Sequence, residues 1–387
     1  MSAIAVKGWC PGALRPMQSG DGLVVRIRPR GGRLEAAQAA GIAELSARHG
    51  NGLIDLTSRA NLQIRGVADD GYPALIDGLA ELGLLDSDCD TEAQRNILVT
   101  PFWTAEGDTR SLAAELERAL AGASLDLPTK FGFAIDDGNA RVLAGAPADV
   151  RIERERSGGL LVRADGAQHG RSVTRGEAVP IALALAEWFV ACGGANGEKR
   201  RMAAHLAGGA TLPESLRGDA EPVGKSTDPV PGLYPTGAMV GVAFGLMPHQ
   251  TLRQLAGCAH ALRMTPWRMV LAEGLREMPH GADLVTDADD PVLRVIACSG
   301  APRCGEAYAD TRALASAFAR LIPANARLHV SGCAKGCAHS GSADVTLVAT
   351  HEGFDLIRGG TTRDAPVMRG LAGSDLVANP SLLMGGH

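Results

Sequence analysis

The chain has 387 residues, 45% of them hydrophobic and 21% charged, and a net charge of −5. That length is enough for two or three cores, and the acidic balance argues against a nucleic-acid partner, which usually needs a basic surface. The start, MSAIAVKGWCPGALRP, lacks the basic flank and apolar run of a secretory signal. No stretch approaches the ~20 apolar residues of a membrane span, so a soluble, cytoplasmic protein is expected.

In LVVRIRPR, Leu23, Val25 and Ile27 alternate with Arg26, Arg28 and Arg30, the period-two pattern of a half-buried strand. After GGR, the segment LEAAQAAGIAELSARHG has apolar residues at helical spacing, with Gly50 placed to end the helix. LIDLTSRANLQIRG then predicts a second strand, with Leu56, Ala60, Leu62 and Ile64 on one face and Arg59, Asn61, Gln63 and Arg65 on the other. Such a strand–helix–strand unit normally crosses over to a parallel strand, which would put both basic faces on one side of a sheet. Local basicity in an acidic chain suggests a site for an anionic small molecule.

A weaker copy follows. Residues 238–273 run AMVGVAFGLMP, HQTLRQLAGCAHALR, MTPWRMVLAE; the last piece aligns with LTSRANLQIR, pairing Thr57 with Thr265 and Arg59 with Trp267. RNILVTP at 95–101 and LRVIACSG at 293–300 likewise correspond, each an apolar strand entering a loop. The pattern is an internal duplication of about half the chain. It divides as two small units, 1–80 and 236–284, and two larger ones, 81–207 and 285–387. A Gly- and Pro-rich connector, 208–235, joins the halves.

Only the second copy carries the cysteine pattern: Cys298-x5-Cys304, a helical segment, then Cys333-x3-Cys337. Each pair lies in a glycine-containing loop after a strand, so two adjacent strand ends can bring four sulfurs onto one [4Fe–4S] cluster. Zinc usually takes shorter pairs, and disulfides are disfavoured without export. Cys10, Cys89, Cys192 and Cys258 have no ligand-like spacing and are expected as buried thiols.

This pattern, late in a duplicated chain, resembles the nitrite/sulfite reductase family. LTSRANLQIRG, QRNILVTP and LPTKFGF are similar to its Thr-x-Arg, Arg-Asn and Leu-Pro-x-Lys-Phe motifs. The resemblance implies a mixed-sheet α+β fold with pseudo-twofold duplication and two ferredoxin-like half-domains. It implies a [4Fe–4S] cluster on Cys298, Cys304, Cys333 and Cys337, with basic residues Arg59, Arg95 and Lys130 around the reacting centre. Two departures stand out: Gly132 replaces a second lysine of the reductases, and Ala334-Lys335 replaces their Pro-Asn.

Those departures, with CPGALRPMQSGDG at the start and TPWR in the second half, are most similar to a branch whose macrocycle is a substrate. That branch hydroxylates the tetrapyrrole precorrin-3A with O2 and reducing equivalents. It implies substrate-binding roles for Arg26, Arg28, Arg30, Arg65 and His339, and a second, mononuclear non-haem iron whose ligands the sequence does not reveal. His339 is equally readable as a loop residue with only local hydrogen bonds. With no nucleotide fingerprint visible, electrons are expected from an external reductase or ferredoxin. The competing expectations are a siroheme-dependent sulfite or nitrite reductase, and an electron-transfer or assembly protein using the cluster alone.

Overall fold

The computed structural model describes residues 10–196 and 200–384; part of the N-terminal stretch considered above, residues 1–9, lies outside them. The first small sheet and its helices comprise β1 (Met17–Ser19), β2 (Gly22–Ile27), β3 (Arg33–Glu35), α1 (Ala36–His49), β4 (Leu53–Leu56), β5 (Leu62–Val67), α2 (Tyr72–Glu81) and α3 (Cys89–Gln94). The first large sheet follows with β6 (Ile97–Val99), α4 (Thr109–Gly122), β7 (Phe133–Asp136), β8 (Val150–Arg154), β9 (Leu160–Ala164), β10 (Arg171–Val173), α5 (Ala178–Ala191) and α6 (Met202–Ala207).

The second half repeats this order. It has β11 (Gly232–Tyr234), β12 (Gly237–Val242), β13 (Leu246–Pro248), α7 (His249–Cys258), β14 (Ala261–Met264), β15 (Met269–Glu273) and β16 (Leu284–Val285). Then come β17 (Val295–Ala297), α8 (Thr311–Ala319), β18 (Leu328–Ser331), β19 (Ala343–Thr350), β20 (Gly353–Gly360), β21 (Met368–Leu371), α9 (Gly373–Ala378) and α10 (Ser381–Met384). No described helix is long and apolar enough to cross a membrane.

The small sheets run β1-β2-β5-β4-β13 and β11-β12-β15-β14-β3, so each half donates one short strand to the other half's sheet. The donated strands pair as Met247 with Ile54 and Leu34 with Leu262. Helices α1 and α7 pack between the sheets, and Ile27, Leu34, Ile42, Ile64, Met247, Leu255 and Leu262 form one shared core. The large sheets match too: β6, β7 and β8 are parallel, as are β17, β18 and β19, and two antiparallel strands complete each. The fold is a duplicated α+β arrangement.

Two local expectations change. LIDLTSRANLQIRG is two strands rather than one, and all neighbours in the first small sheet are antiparallel. The break has a backbone cause: Ala60 takes φ 54°, and its counterpart Arg268 takes φ 60°. These left-handed residues turn the chain back on itself, so β5 enters between β2 and β4; the two strands joined through α1 are parallel, as a crossover requires, but are not neighbours. Gly50 ends α1 at φ −114°, outside the left-handed region. It is glycine because a Cβ there would come within 2.6 Å of the Arg65 carbonyl oxygen.

The first large sheet holds an ionisable residue where the sheet that bears the cysteine loops does not. Strand registers place Asp136 opposite Ser331 in the duplication. Burial, followed by the nearby Glu153 and Asp137, pushes its carboxyl up to about 7, although the Leu143 N–H donates to it at 2.7 Å. A folded-state value above the unfolded one means stability is fully present below about pH 4 and is lost as pH rises towards 7. Asp136→Asn is therefore expected to stabilise the protein by about 2–4 kcal/mol at pH 8 and flatten its stability between pH 4 and 7. Urea unfolding at several pH values measures this; an unchanged pH profile would contradict it.

Candidate functional site: a cysteine cage facing an arginine-rich sheet

Strands β17 and β18 are parallel neighbours, and each runs at its C-terminal end into a cysteine loop. The Tyr308 N–H donates to the Gly332 carbonyl at 2.9 Å, tying the loops together. The Gly332 N–H points at Cys298 Sγ at 3.2 Å. A side chain at 332 would collide with Ala307, its Cβ lying 2.7 Å from that of Ala307. The Thr311 hydroxyl, at the start of α8, donates to the Cys298 carbonyl at 2.8 Å.

All eight cysteines are free thiols, and Cys298, Cys304 and Cys333 are half-buried while Cys337 is exposed. Burial, and then the charges of the other three cysteines, push the Cys337 thiol up; burial and Cys304 and Cys298 do the same at Cys333. The four sulfurs thus sit close enough to repel one another as thiolates. Among the described residues, no three His, Cys, Asp or Glu side chains converge as ligands of a single ion. Two glycine loops that bring two cysteines each to neighbouring strand ends, with a backbone N–H aimed at one sulfur, suit a polynuclear iron–sulfur group better than one zinc. The same finding leaves no ready-made three-ligand set for a mononuclear iron among the described residues.

Opposite the cysteines lies the non-core face of the first small sheet. Register puts Arg26, Gln63 and Asp55 in one row across β2, β5 and β4. The basic residues divide by their partners. Arg95 is buried and clamped by Asp86 at 2.8 and 2.9 Å, and it donates to the Arg28 carbonyl at 2.9 Å. Arg30 pairs with Asp86 and Glu117 at 3.1 and 3.2 Å. Arg65, 3% exposed, spends its donors on Asp21, Asp55, Ser19 and the Arg303 carbonyl. These three are neutralised within the fold.

Arg26, Arg28 and Arg59 are not. Arg26 donates to Gln63 at 2.6 and 3.0 Å, Arg28 to the Asn96 amide oxygen, and Arg59 to the Lys130 carbonyl at 3.1 Å. No carboxylate of the described residues ion-pairs with any of them, and the Arg28 Nε has no partner at all. Burial, and then Arg28, bring Arg26 down to about 10; burial also lowers Arg28 and Arg59. The four other cysteines, expected as buried thiols, are not: Cys89, Cys192 and Cys258 are exposed and Cys10 is half-buried, lying within electrostatic reach of these three guanidinium groups.

Lys130 is exposed on the loop before β7. Asn96 positions that loop by donating to the carbonyls of Thr129 and Phe131 at 3.2 and 3.1 Å. The Arg-Asn and Leu-Pro-x-Lys-Phe motifs thus meet through one amide, which also receives Arg28. Gly132 sits tightly, since a Cβ there would lie 3.1 Å from the Asn96 carbonyl oxygen.

Arg268, Arg312 and His329 were not anticipated. Arg268 donates to the Ala338 carbonyl at 3.0 Å; burial, and then Arg312, lower it to about 10. Aligning TPWR with TSRA places it opposite Ala60, a signal the sequence did contain. Arg312 pairs with Asp55 at 2.8 Å. His329 is buried with both ring nitrogens unpaired, and burial drops it to about 4, so it is neutral. His339 packs edge-on against it at 5.7 Å and points Nε2 at the Ser342 carbonyl at 3.2 Å, a local contact. A cavity of about 380 Å³ lined by Arg294, Asn325, Arg327 and Asp344 lies at the opposite ends of these strands, away from the cysteines.

Residues 15–82 match the nitrite/sulfite reductase ferredoxin-like half domain. The chain is 26% identical to the precorrin-3B synthase of a Sinorhizobium species, over 93% of its own length and 84% of that protein's. It is 25% identical to the ferredoxin–nitrite reductase of Synechococcus elongatus, over 89% of this chain and 81% of that one. The structure of the Mycobacterium tuberculosis NirA protein superposes with a TM-score of 0.61 at 18% identity, covering 92% of this chain and 79% of that chain. That likeness gives the same fold.

Proposed function

We propose that this chain, similar along most of its length to precorrin-3B synthase, is a cobalamin-pathway enzyme that hydroxylates precorrin-3A at C20 and closes a γ-lactone onto a ring A acetate. One oxygen atom of O2 enters the substrate; the other leaves as water with two protons and two electrons from an external reductase or ferredoxin. A [4Fe–4S] cluster on Cys298, Cys304, Cys333 and Cys337 would supply those electrons one at a time.

The observation that carries this reading is the set of arginines with no carboxylate in ion-pair contact: Arg26, Arg28 and Arg59 from the first small sheet and its turns, and Arg268, which donates to the Ala338 carbonyl beside Cys337. Carboxylates compensate these cations only from a distance, Glu92 and Asp86 for Arg28, Asp149 for Arg59 and Asp55 for Arg268, and a macrocycle bearing acetates and propionates would supply direct partners. Guanidinium forks suit carboxylates because they bind them bidentately. Arg95, through its bond to the Arg28 carbonyl, serves as a positioning residue. Arg30 and Arg65, with every charge already paired, take no substrate carboxylate in this scheme.

The second reading, a siroheme-dependent nitrite or sulfite reductase, is favoured by the similarity to ferredoxin–nitrite reductase and by Arg59 and Lys130 lying together. An anaerobic absorption spectrum with iron and acid-labile sulfide analysis separates the two. A cluster shoulder without tetrapyrrole bands supports the synthase, whereas intense Soret and red bands at about one chromophore per chain support the reductase. Arg28→Ala is expected to weaken binding of a tetrapyrrole octacarboxylate such as uroporphyrin about 10–100-fold with iron content unchanged. Fluorescence titration measures this, and unaltered affinity removes Arg28 from the site.

A further inference from the structure

The duplication places one ion pair twice with its polarity reversed. In the first small sheet, Asp55 on β4 meets Arg65 on β5 at 3.0 Å. The strand registers put Arg263 and Glu273 at the matching positions of β14 and β15, and these meet at 2.9 Å. Each pair reaches across to a large sheet of the other half. Arg263 donates to the carbonyls of Pro101 and Trp103 at 2.8 and 2.7 Å, holding the loop after β6. Arg65 donates to the Arg303 carbonyl at 3.0 Å, inside the loop that joins Cys298 to Cys304.

Each carboxylate also takes a second arginine: Glu273 accepts from Arg33 on the donated strand β3 at 2.9 Å, whereas the second arginine of Asp55 comes from beside the cysteine loop. The second oxygen of Asp55 accepts from Arg312 at 2.8 Å, on the helix that leaves the cysteine loop. Ser19 and Gly20 add donors to the same Arg303 carbonyl at 2.7 and 3.1 Å. One carboxylate of the first half therefore reaches, through Arg65, the Cys304 end of this loop and, through Arg312, the first turn of the helix that follows it. Asp55 also lies within the electrostatic reach of Arg268, which in turn senses Cys298. Removing its charge leaves Arg65 and Arg312 on that face with Asp21 as the remaining partner, serving Arg65 alone.

We infer that Asp55 is a positioning residue for the iron–sulfur site, bridging Arg65 and Arg312 so that the Cys298–Cys304 loop is preformed for its group. The inference rests on the cluster assignment made above, but not on the identity of the substrate. It makes the two matched pairs unequal: the Asp55 pair governs the cysteine loop, and the Glu273 pair governs a loop without ligands.

The test compares Asp55→Asn with Glu273→Gln in the full chain. Release of iron to a chelator under anaerobic conditions, followed by absorbance, is expected to accelerate at least tenfold in D55N and less than twofold in E273Q. In cluster-free protein, amide exchange across residues 298–310 is expected to rise in D55N and stay at the parent's level in E273Q. Equal release rates and equal exchange in the two variants would overturn the inference, since both would then act through general stability. If D55N does not accumulate, Arg312→Gln, which keeps the Asp55–Arg65 pair, is expected to raise exchange at the helix end of the loop. A parent protein without iron and sulfide would refute the cluster assignment, and the exchange experiment would still judge the Asp55 bridge.

Discussion

Cys304→Ala is expected to reduce iron and acid-labile sulfide from about four each per chain to near zero and to abolish turnover. The loop backbone does not depend on the thiol, because the Cys304 N–H bonds to the Gly300 carbonyl at 2.8 Å and the Ala307 N–H to the Cys304 carbonyl at 3.1 Å. The substitution therefore removes a ligand without removing the loop. Cys192 serves as the internal control: it is exposed, its sulfur lies 3.0 Å from His205 Nε2, and it is remote in the fold from the four-cysteine site. Cys192→Ser is expected to keep parent iron content. Iron retained in C304A at the parental level would show that Cys304 is not a ligand.

The second large effect is expected at Asp149, which is fully buried immediately before β8. Its carboxylate accepts from the Gly132 N–H at 2.9 Å, the Met202 N–H at 2.8 Å and Arg201 Nε at 2.9 Å. Alanine would strand two buried backbone donors and one guanidinium. Each buried donor left without its acceptor costs about 1–3 kcal/mol, so D149A should unfold at markedly lower urea. Gly132 ends the loop carrying Lys130, whose carbonyl anchors Arg59, so tetrapyrrole affinity should fall as well. Asp149→Asn keeps one acceptor and should be milder. A D149A protein with parental unfolding midpoint would overturn the argument.

The sequence made the cysteine site and the duplication legible because both depend on spacing within short segments. LTSRANLQIR and MTPWRMVLAE align because Ala60 and Arg268 make the same left-handed turn and the Thr57 and Thr265 hydroxyls each accept the N–H two residues on; Thr57 also accepts from the Asn61 N–H, whereas Thr265 donates to the Met269 carbonyl. What the sequence hid was long-range. Nothing local distinguishes Arg26 and Arg28, which lack carboxylates, from Arg30, Arg65 and Arg95, which have them. Their partners are Glu117, 87 residues from Arg30, and Asp21, 44 residues from Arg65. The donated strands are three residues each, too short to show a period. The crossover through α1 does end on a parallel strand, but β5 separates β2 from β4, because a hairpin turn inside TSRAN is indistinguishable in pattern from a continuing strand.

The exchange of β3 and β13 between the small sheets bears on how such a chain could have arisen and how it can be cut. A half-length ancestor with the same elements would complete its sheet only by lending a strand to a second copy, forming an intertwined homodimer. Joining the two copies end to end makes that exchange intramolecular and frees each copy to diverge. One could then acquire the cysteines while the other retained only the scaffold. Expressed apart, either half would present an uncovered sheet edge; co-expressed, the two should reassemble.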